Sequence, residues 1–344
     1  MKFYKKMGFI LMAGLTALTS ACSDSVTDNE LETPDFVTED GFRHRSNVQV
    51  EEFATGFDLP TSLAFAPDGS GRLFVNELQS GQIKIIQDGN VMDQPFANVE
   101  TMVDGGFPVD GENGLIGIAF DPNFQQNGYL YISFAVREND NTIGRIARLK
   151  DVNNTSTDFT ILIDSLPSAA GHQVESLRFG PDEKLYIMVG DAFEADKAQD
   201  PETFHGKFLR MNRDGTVPAD NPDPESLVFA LGFRNNFDFI FRPNGDLVTT
   251  ENGPSEKDEM NVVLPDGNYG WPEELGTTEN SPFNQPVHVW QDIVAPSGMH
   301  FYQGVVYTGP GIGNPIDVTE GPDGNIYFTD IFRGIVYKIS AAGS

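Results

Sequence analysis

A histidine in a Gly-His-Gln loop (His172), an adjacent arginine and asparagine (Arg234 and Asn235) and the acidic run ENGPSEKDE at 251–259 are the residues of this 344-residue chain best suited to chemistry. A free imidazole titrates near pH 7, so His172 suits removal of a proton from a hydroxyl group. A guanidinium offers a fork for carboxylates and a flat stacking surface, which fits Arg234 to a planar anion. Calcium prefers oxygen ligands, and 251–259 supplies carboxylates together with main-chain carbonyls freed by a kinked turn at Gly253 and Pro254. Each feature also has a plainer reading: a loop histidine without a role, a loop ion pair, solvated turn acids.

The elements that must position these residues recur. An apolar strand-like run, a Pro-Asp-Gly or Pro-Asn type of turn and a second such run appear at 62–75, 116–133, 176–189, 237–250 and 316–329. The marker prolines Pro67, Pro122, Pro181, Pro243 and Pro322 stand roughly 55–80 residues apart, within reach of the longer propeller periods. One hairpin cannot bury its apolar face, whereas several stacked in a ring can. The expected fold is therefore all-β: a six-bladed β-propeller with a truncated fifth blade, since the gap from Pro243 to Pro322 is too short for two average blades. Five blades is the alternative. The segment 48–57 alternates like a strand and is expected to complete the last blade beside 335–339.

Composition narrows the function. With 35 Gly, 22 Pro and 27 Phe the chain suits short strands, tight turns and an aromatic core. A formal net charge of −29 repels nucleic acid and excludes it as a partner. Lys2, Lys5 and Lys6 precede an apolar stretch at 7–18 that is short for a membrane span, and small residues then lead to Cys22, the single cysteine. Residues 1–21 read as a lipoprotein signal peptide, with the lipid carried by Cys22 and the protein held on an exported membrane face. Residues 22–44 read as a flexible acidic tether, and 45–341 as the propeller domain.

The segments that interrupt the strands come in a telling order. They are 111–124 (GENGLIGIAFDPNF), 171–173 (GHQ), 206–222 (GKFLRMNRDGTVPADNP), 232–235 (GFRN), 251–259 (ENGPSEKDE), 267–272 (GNYGWP) and 295–298 (APSG). Together they resemble the soluble quinoprotein glucose/sorbosone dehydrogenase family, calcium-dependent aldose dehydrogenases that use pyrroloquinoline quinone (PQQ) on a six-bladed propeller. The resemblance runs from about residue 55 to 304 and resumes at 316–339, and 251–272 is its most specific part. It implies that His172 is the catalytic base. It implies that Arg234 and Asn235 contact PQQ, that Asn252 stands near the cofactor and that Glu112 takes a place on the substrate side. Carbonyls of Gly253 and Pro254 would hold the calcium that touches PQQ, and Asp258, Glu259 and Tyr269 a second, structural calcium. The implied partners are a small sugar substrate and an unidentified electron acceptor.

Two departures from the family pattern stand out. After the histidine the family usually continues into a small residue, Gly, Arg and Leu, whereas this chain reads Val174-Glu175-Ser176-Leu177. Towards the C-terminus the family's cations for the PQQ carboxylates are missing: the last repeat begins Gly313-Asn314-Pro315-Ile316-Asp317, and Arg333 is the one nearby candidate. A calcium-stabilised carbohydrate-binding propeller that has lost PQQ is therefore the rival expectation. A calcium-dependent lactone hydrolase is a more distant one.

Overall fold

The computed structural model describes residues 36–39, 42–45, 48–108, 111–139, 141–302, 305–308 and 315–341. Cys22, the expected signal peptide and most of the expected tether lie outside them. Within the tether span, Phe36–Glu39 pairs antiparallel with Phe42–Arg45.

The repeats fold as the hairpins their turns encode. After each of four marker prolines an Asp or Asn side chain accepts the backbone N–H two residues on: Asp68 from Ser70 at 2.9 Å, Asp182 from Lys184 at 3.1 Å, Asn244 from Asp246 at 3.2 Å and Asp323 from Asn325 at 3.2 Å. The next position is left-handed in all four. Glycine fills it at Gly69, Gly245 and Gly324, while the third repeat places Glu183 there.

Five sheets of four or five strands form the blades. The first holds Pro60–Phe65, Leu73–Glu77, Gln82–Gln87 and Asn90–Val91, with Ala97–Asn98 also on the third strand. The second holds Leu115–Phe120, Tyr129–Glu138, Asn141–Val152 and Thr155–Pro167. The third holds Val174–Phe179, Leu185–Val189, Lys207–Met211 and Val228–Leu231, with Gly267–Asn268 added in parallel. The fourth holds Phe239–Phe241, Leu247–Glu251, Asp258–Val263 and His288–Trp290. The last is built from Pro315–Glu320, Ile326–Asp330 and Ile335–Ala341, and Val48–Thr55 closes it from the other end of the chain. That closure matches the expectation drawn from the sequence.

Among the described residues a sixth blade is not formed. Where the truncated blade was expected stands a hairpin, Met299–Tyr302 with Val305–Thr308, so the chain builds the alternative of five blades. The reason is length. His288–Trp290 is taken as the outer strand of the fourth blade, and the chain from there to Pro315 is too short for four more strands with their turns. The hairpin lies between the inner strands of the fourth and last blades.

Each blade is packed between two neighbours, the hairpin serving as one of them for the fourth and last blades, so its second strand is buried on both faces. Leu73–Glu77, Leu185–Val189 and Leu247–Glu251 are buried at every position. Aromatic side chains fill the space between sheets: Phe74 meets Phe96 and Phe120 edge-on, and Phe208 meets Phe233 and Phe239. Around the axis, polar side chains tie neighbouring blades. Thr61 donates to the Leu115 carbonyl (2.9 Å), Ser133 to that of Glu175 (2.6 Å) and Ser176 to that of Phe237 (2.7 Å). Where the ring is thinnest, Asp238 accepts Met299 N–H at 2.9 Å and Asp317 accepts Leu63 N–H at 3.0 Å. Arg178 bridges both carboxylates, 2.8 Å from Asp238 and 3.5 Å from Asp317.

Candidate active site

His172 precedes the inner strand of the third blade and sits in the left-handed region at φ +54°. Its conformation is fixed from the end of the next strand. Gly190 N–H donates to the Gln173 carbonyl (2.8 Å) and Ala192 N–H to that of His172 (2.9 Å). A Cβ on Gly190 would lie 2.5 Å from the His172 carbonyl oxygen, so only glycine permits this approach. The antiparallel pairing of Val174 with Val189 then sets Asp191 opposite His172.

Asp191 orients the imidazole. Its Oδ1 lies 2.6 Å from His172 Nδ1 and accepts Phe193 N–H at 3.0 Å, and its Oδ2 accepts Trp271 Nε1–H at 2.9 Å. Burial alone would raise the Asp191 carboxyl, but the bonds from His172, Trp271 and Phe193 outweigh it and hold the group below the usual carboxylate range. An ionised carboxylate only accepts, so Nδ1 carries the proton and Nε2 is left as the base.

Asp191 also joins the histidine to the arginine, because its N–H donates to the Arg234 carbonyl at 2.8 Å. Arg234 lies over the Trp271 ring, 5.6 Å from its centroid, and donates from Nη1 to the carbonyls of Asn252 (2.8 Å) and Gly253 (3.1 Å). His172, Arg234 and Gly253 are thus brought together, as the family resemblance implies. Burial pulls the guanidinium below its ordinary range, against the pull of Asp191, Glu251, Asp258 and Glu112. Glu251 is itself buried, and burial with Glu259 nearby pushes its carboxyl well above the usual range. A desolvated guanidinium favours an anionic ligand.

Asn235 and Asn252 stand beside this corner, joined by Asn252 N–H to the Asn235 carbonyl at 2.9 Å, and each has a buried side-chain oxygen without a partner. On the other side of His172, Glu112 is exposed, and its Oε2 would lie 2.8 Å from a Cβ on Gly171. Gln173 donates from Nε2 to the Glu112 carbonyl. Glu175, the departure seen in the sequence, is buried with one unpartnered oxygen. Burial and the nearby Glu112 push its carboxyl well above the usual range.

The acids of 251–259 are engaged by the protein. Asp258 accepts N–H bonds from Gly253 (2.8 Å) and from Val294 and Ala295 (both 2.7 Å). Glu259 accepts from Gly276 N–H at 2.5 Å and from Asn261 Nδ2 at 3.3 Å. Tyr269 is buried and stacked on Phe233, its hydroxyl donating to the Val262 carbonyl (2.6 Å) and accepting from Leu264 N–H (2.9 Å). Pro254 is exposed on the turn. Among the described residues no three acidic or histidine side chains gather as a metal site, so a hard cation here would depend on main-chain carbonyls. The C-terminal candidate Arg333 lies 3.7 Å from Asp330 and donates to Tyr337 at 3.2 Å, within its own blade.

Asp191, Trp271 and Glu251 were not singled out from the sequence. A signal for Asp191 was present, since counting back through the hairpin pairs residue 191 with 172.

The family model described as Glucose / Sorbosone dehydrogenase matches residues 57–309. Quinoprotein glucose dehydrogenase B of Acinetobacter calcoaceticus is 32% identical over 268 residues, which cover 69% of this chain. The chain spans only 55% of that relative's length. The PQQ-bound form of aldose sugar dehydrogenase from Streptomyces coelicolor superposes with a TM-score of 0.75 at 25% identity, covering 85% of this chain and 98% of that one. Hedgehog-interacting protein of Homo sapiens is 28% identical over 236 residues, 60% of this chain and 34% of its own length. A propeller with this order of motifs and a match across most of its length belongs to the glucose/sorbosone dehydrogenase family.

Proposed function

We propose that the chain is a PQQ- and calcium-dependent dehydrogenase that oxidises an aldose at the anomeric carbon. One observation carries the reading: a desolvated Arg234 lies over Trp271, whose indole N–H bonds the same Asp191 carboxylate that orients the base His172. Arg234, Asn235 and Asn252 would hold the flat anion, the two asparagines through their side-chain NH2 donors. Calcium would take the carbonyls of Gly253 and Pro254; that of Gly253 accepts one bond from Arg234 and keeps a second lone pair.

When bound, PQQ supplies the acceptor for the C1 hydride and calcium the Lewis acid that polarises it. His172 Nε2 removes the proton of the anomeric hydroxyl, so the sugar leaves as its lactone. Asp191 keeps the proton on Nδ1 and stabilises the imidazolium until the new proton passes to solvent. Arg234 balances the negative charge of the ligand, and Glu112 accepts a sugar hydroxyl. An external acceptor then takes the electrons.

A second reading, a carbohydrate-binding propeller without PQQ, is favoured by the engagement of Arg333 inside its own blade. Dye reduction by purified protein with PQQ, calcium and a panel of aldoses separates the two. Aldose-dependent reduction lost in His172→Ala supports the enzyme, and its absence from the wild type favours the binding module. The leader and Cys22 support an exported, lipid-anchored protein, which mass spectrometry of the mature N-terminus would test.

A further inference from the structure

We propose that Phe193 is the residue on which the sugar stacks, its ring taking the C–H face of an aldopyranose whose hydroxyl His172 reaches. The inference rests on the sugar-oxidising reading and names how that site recognises its substrate.

Phe193 is 59% exposed, an unusual state for a large apolar ring beside a catalytic histidine. Its centroid lies 4.2 Å from that of His172, at an interplanar angle of 46°. The backbone holds it there against preference: Ala192 and Phe193 are both left-handed, at φ +48° and +62°, where glycine would be at ease. The Asp191 carboxylate that orients His172 also accepts Phe193 N–H at 3.0 Å, so one group sets both the base and the ring.

The surroundings suit a sugar. A Cβ on Gly171 would lie 3.2 Å from Phe193 Cζ and 2.8 Å from Glu112 Oε2, so the ring edge and the carboxylate converge over bare backbone. Sugars present C–H groups on a face and hydroxyls on a rim. An aromatic face next to a carboxylate answers both, and covering the ring removes apolar surface from water.

The test compares wild type with Phe193→Ala, Phe193→Gly and Phe193→Trp. Phe193→Gly places the residue that the backbone favours, so folding is not at risk. With PQQ and calcium loaded, KM for D-glucose is expected to rise about three- to tenfold in the Ala and Gly variants, with kcat within about twofold, and to recover in Phe193→Trp. An unchanged KM, or a fall in kcat at constant KM, overturns the proposal and leaves Phe193 as a prop for His172. Binding of methyl β-D-glucopyranoside, which has no free anomeric hydroxyl, is measured in parallel by saturation-transfer NMR. Should the wild type turn over no aldose, the dehydrogenase reading falls and the glucoside decides alone. Weakening by the same factor in the Ala and Gly variants supports the stacking role, and equal binding or no wild-type binding overturns it.

Discussion

Replacing Asp191 by asparagine tests the link between fold and chemistry. In the wild type the carboxylate accepts three hydrogen bonds, from His172 Nδ1 at 2.6 Å, Trp271 Nε1 at 2.9 Å and Phe193 N at 3.0 Å. An amide has one accepting oxygen. If that oxygen keeps His172 and Phe193, the NH2 group faces the Trp271 donor, and the lost bond costs about 1.5–3 kcal/mol. If it keeps Trp271, the NH2 group donates to Nδ1, and the proton moves to Nε2, where it disables the base. The variant is expected to lose about 10²- to 10⁴-fold in kcat, the usual share of a positioned base. Stability adds a readout that needs no turnover. A carboxyl held below its unfolded value contributes stability that is present above the unfolded range and is lost as pH falls through the native value. The gap in Tm between wild type and Asp191→Asn should therefore be widest near neutrality and close in acid. Aldose-driven dye reduction and scanning calorimetry from acid to neutral pH measure both. A variant with wild-type kcat and the same Tm at every pH would refute the reasoning.

Lys207 is fully buried and its ammonium donates to the carbonyls of Lys197 (3.2 Å), Ala198 (2.9 Å) and His205 (2.6 Å), although burial pulls its pKa down to about 8. Lys207→Met leaves those acceptors bare and should destabilise by about 3 kcal/mol or more in urea unfolding; an unchanged midpoint would contradict this. Asp317 is raised to about 6 by burial and by the adjacent Asp238, against the pull of Arg178. Its native pKa exceeds its unfolded one, so its contribution is fully present below the unfolded value of about 4 and fades as pH rises through the native value. Asp317→Asn should flatten that part of the Tm profile, and an unaltered slope would count against it.

Much of the fold was legible because each blade is a local hairpin whose Pro-Asp turn and alternating apolar strands are contiguous in sequence. The closing strand Val48–Thr55 was also legible, since a ring leaves its last blade one strand short. The blade count was not, because it turns on which sheet claims His288–Trp290, and a three-residue strand carries no period. At the site, His172, Arg234 and Gly253 could be read as motifs, and the fold does bring them together. Partners contributed by distant segments were harder to see. Trp271 reaches Asp191 across 80 positions, and the burial that lifts Glu251 belongs to the whole ring. Asp258 looked like a free acid, yet three N–H groups from two loops already satisfy it.

The central claim is that this ring holds PQQ next to a histidine able to deprotonate a sugar. An anaerobic single-turnover experiment tests it most directly: protein loaded with PQQ and calcium is freed of excess cofactor, mixed rapidly with an aldose, and followed by the cofactor's absorbance. The account predicts one equivalent of sugar-dependent reduction per protein, slowed by orders of magnitude in His172→Ala while PQQ stays bound. Failure to retain PQQ at micromolar concentration, or retained PQQ whose spectrum no aldose alters, would contradict it.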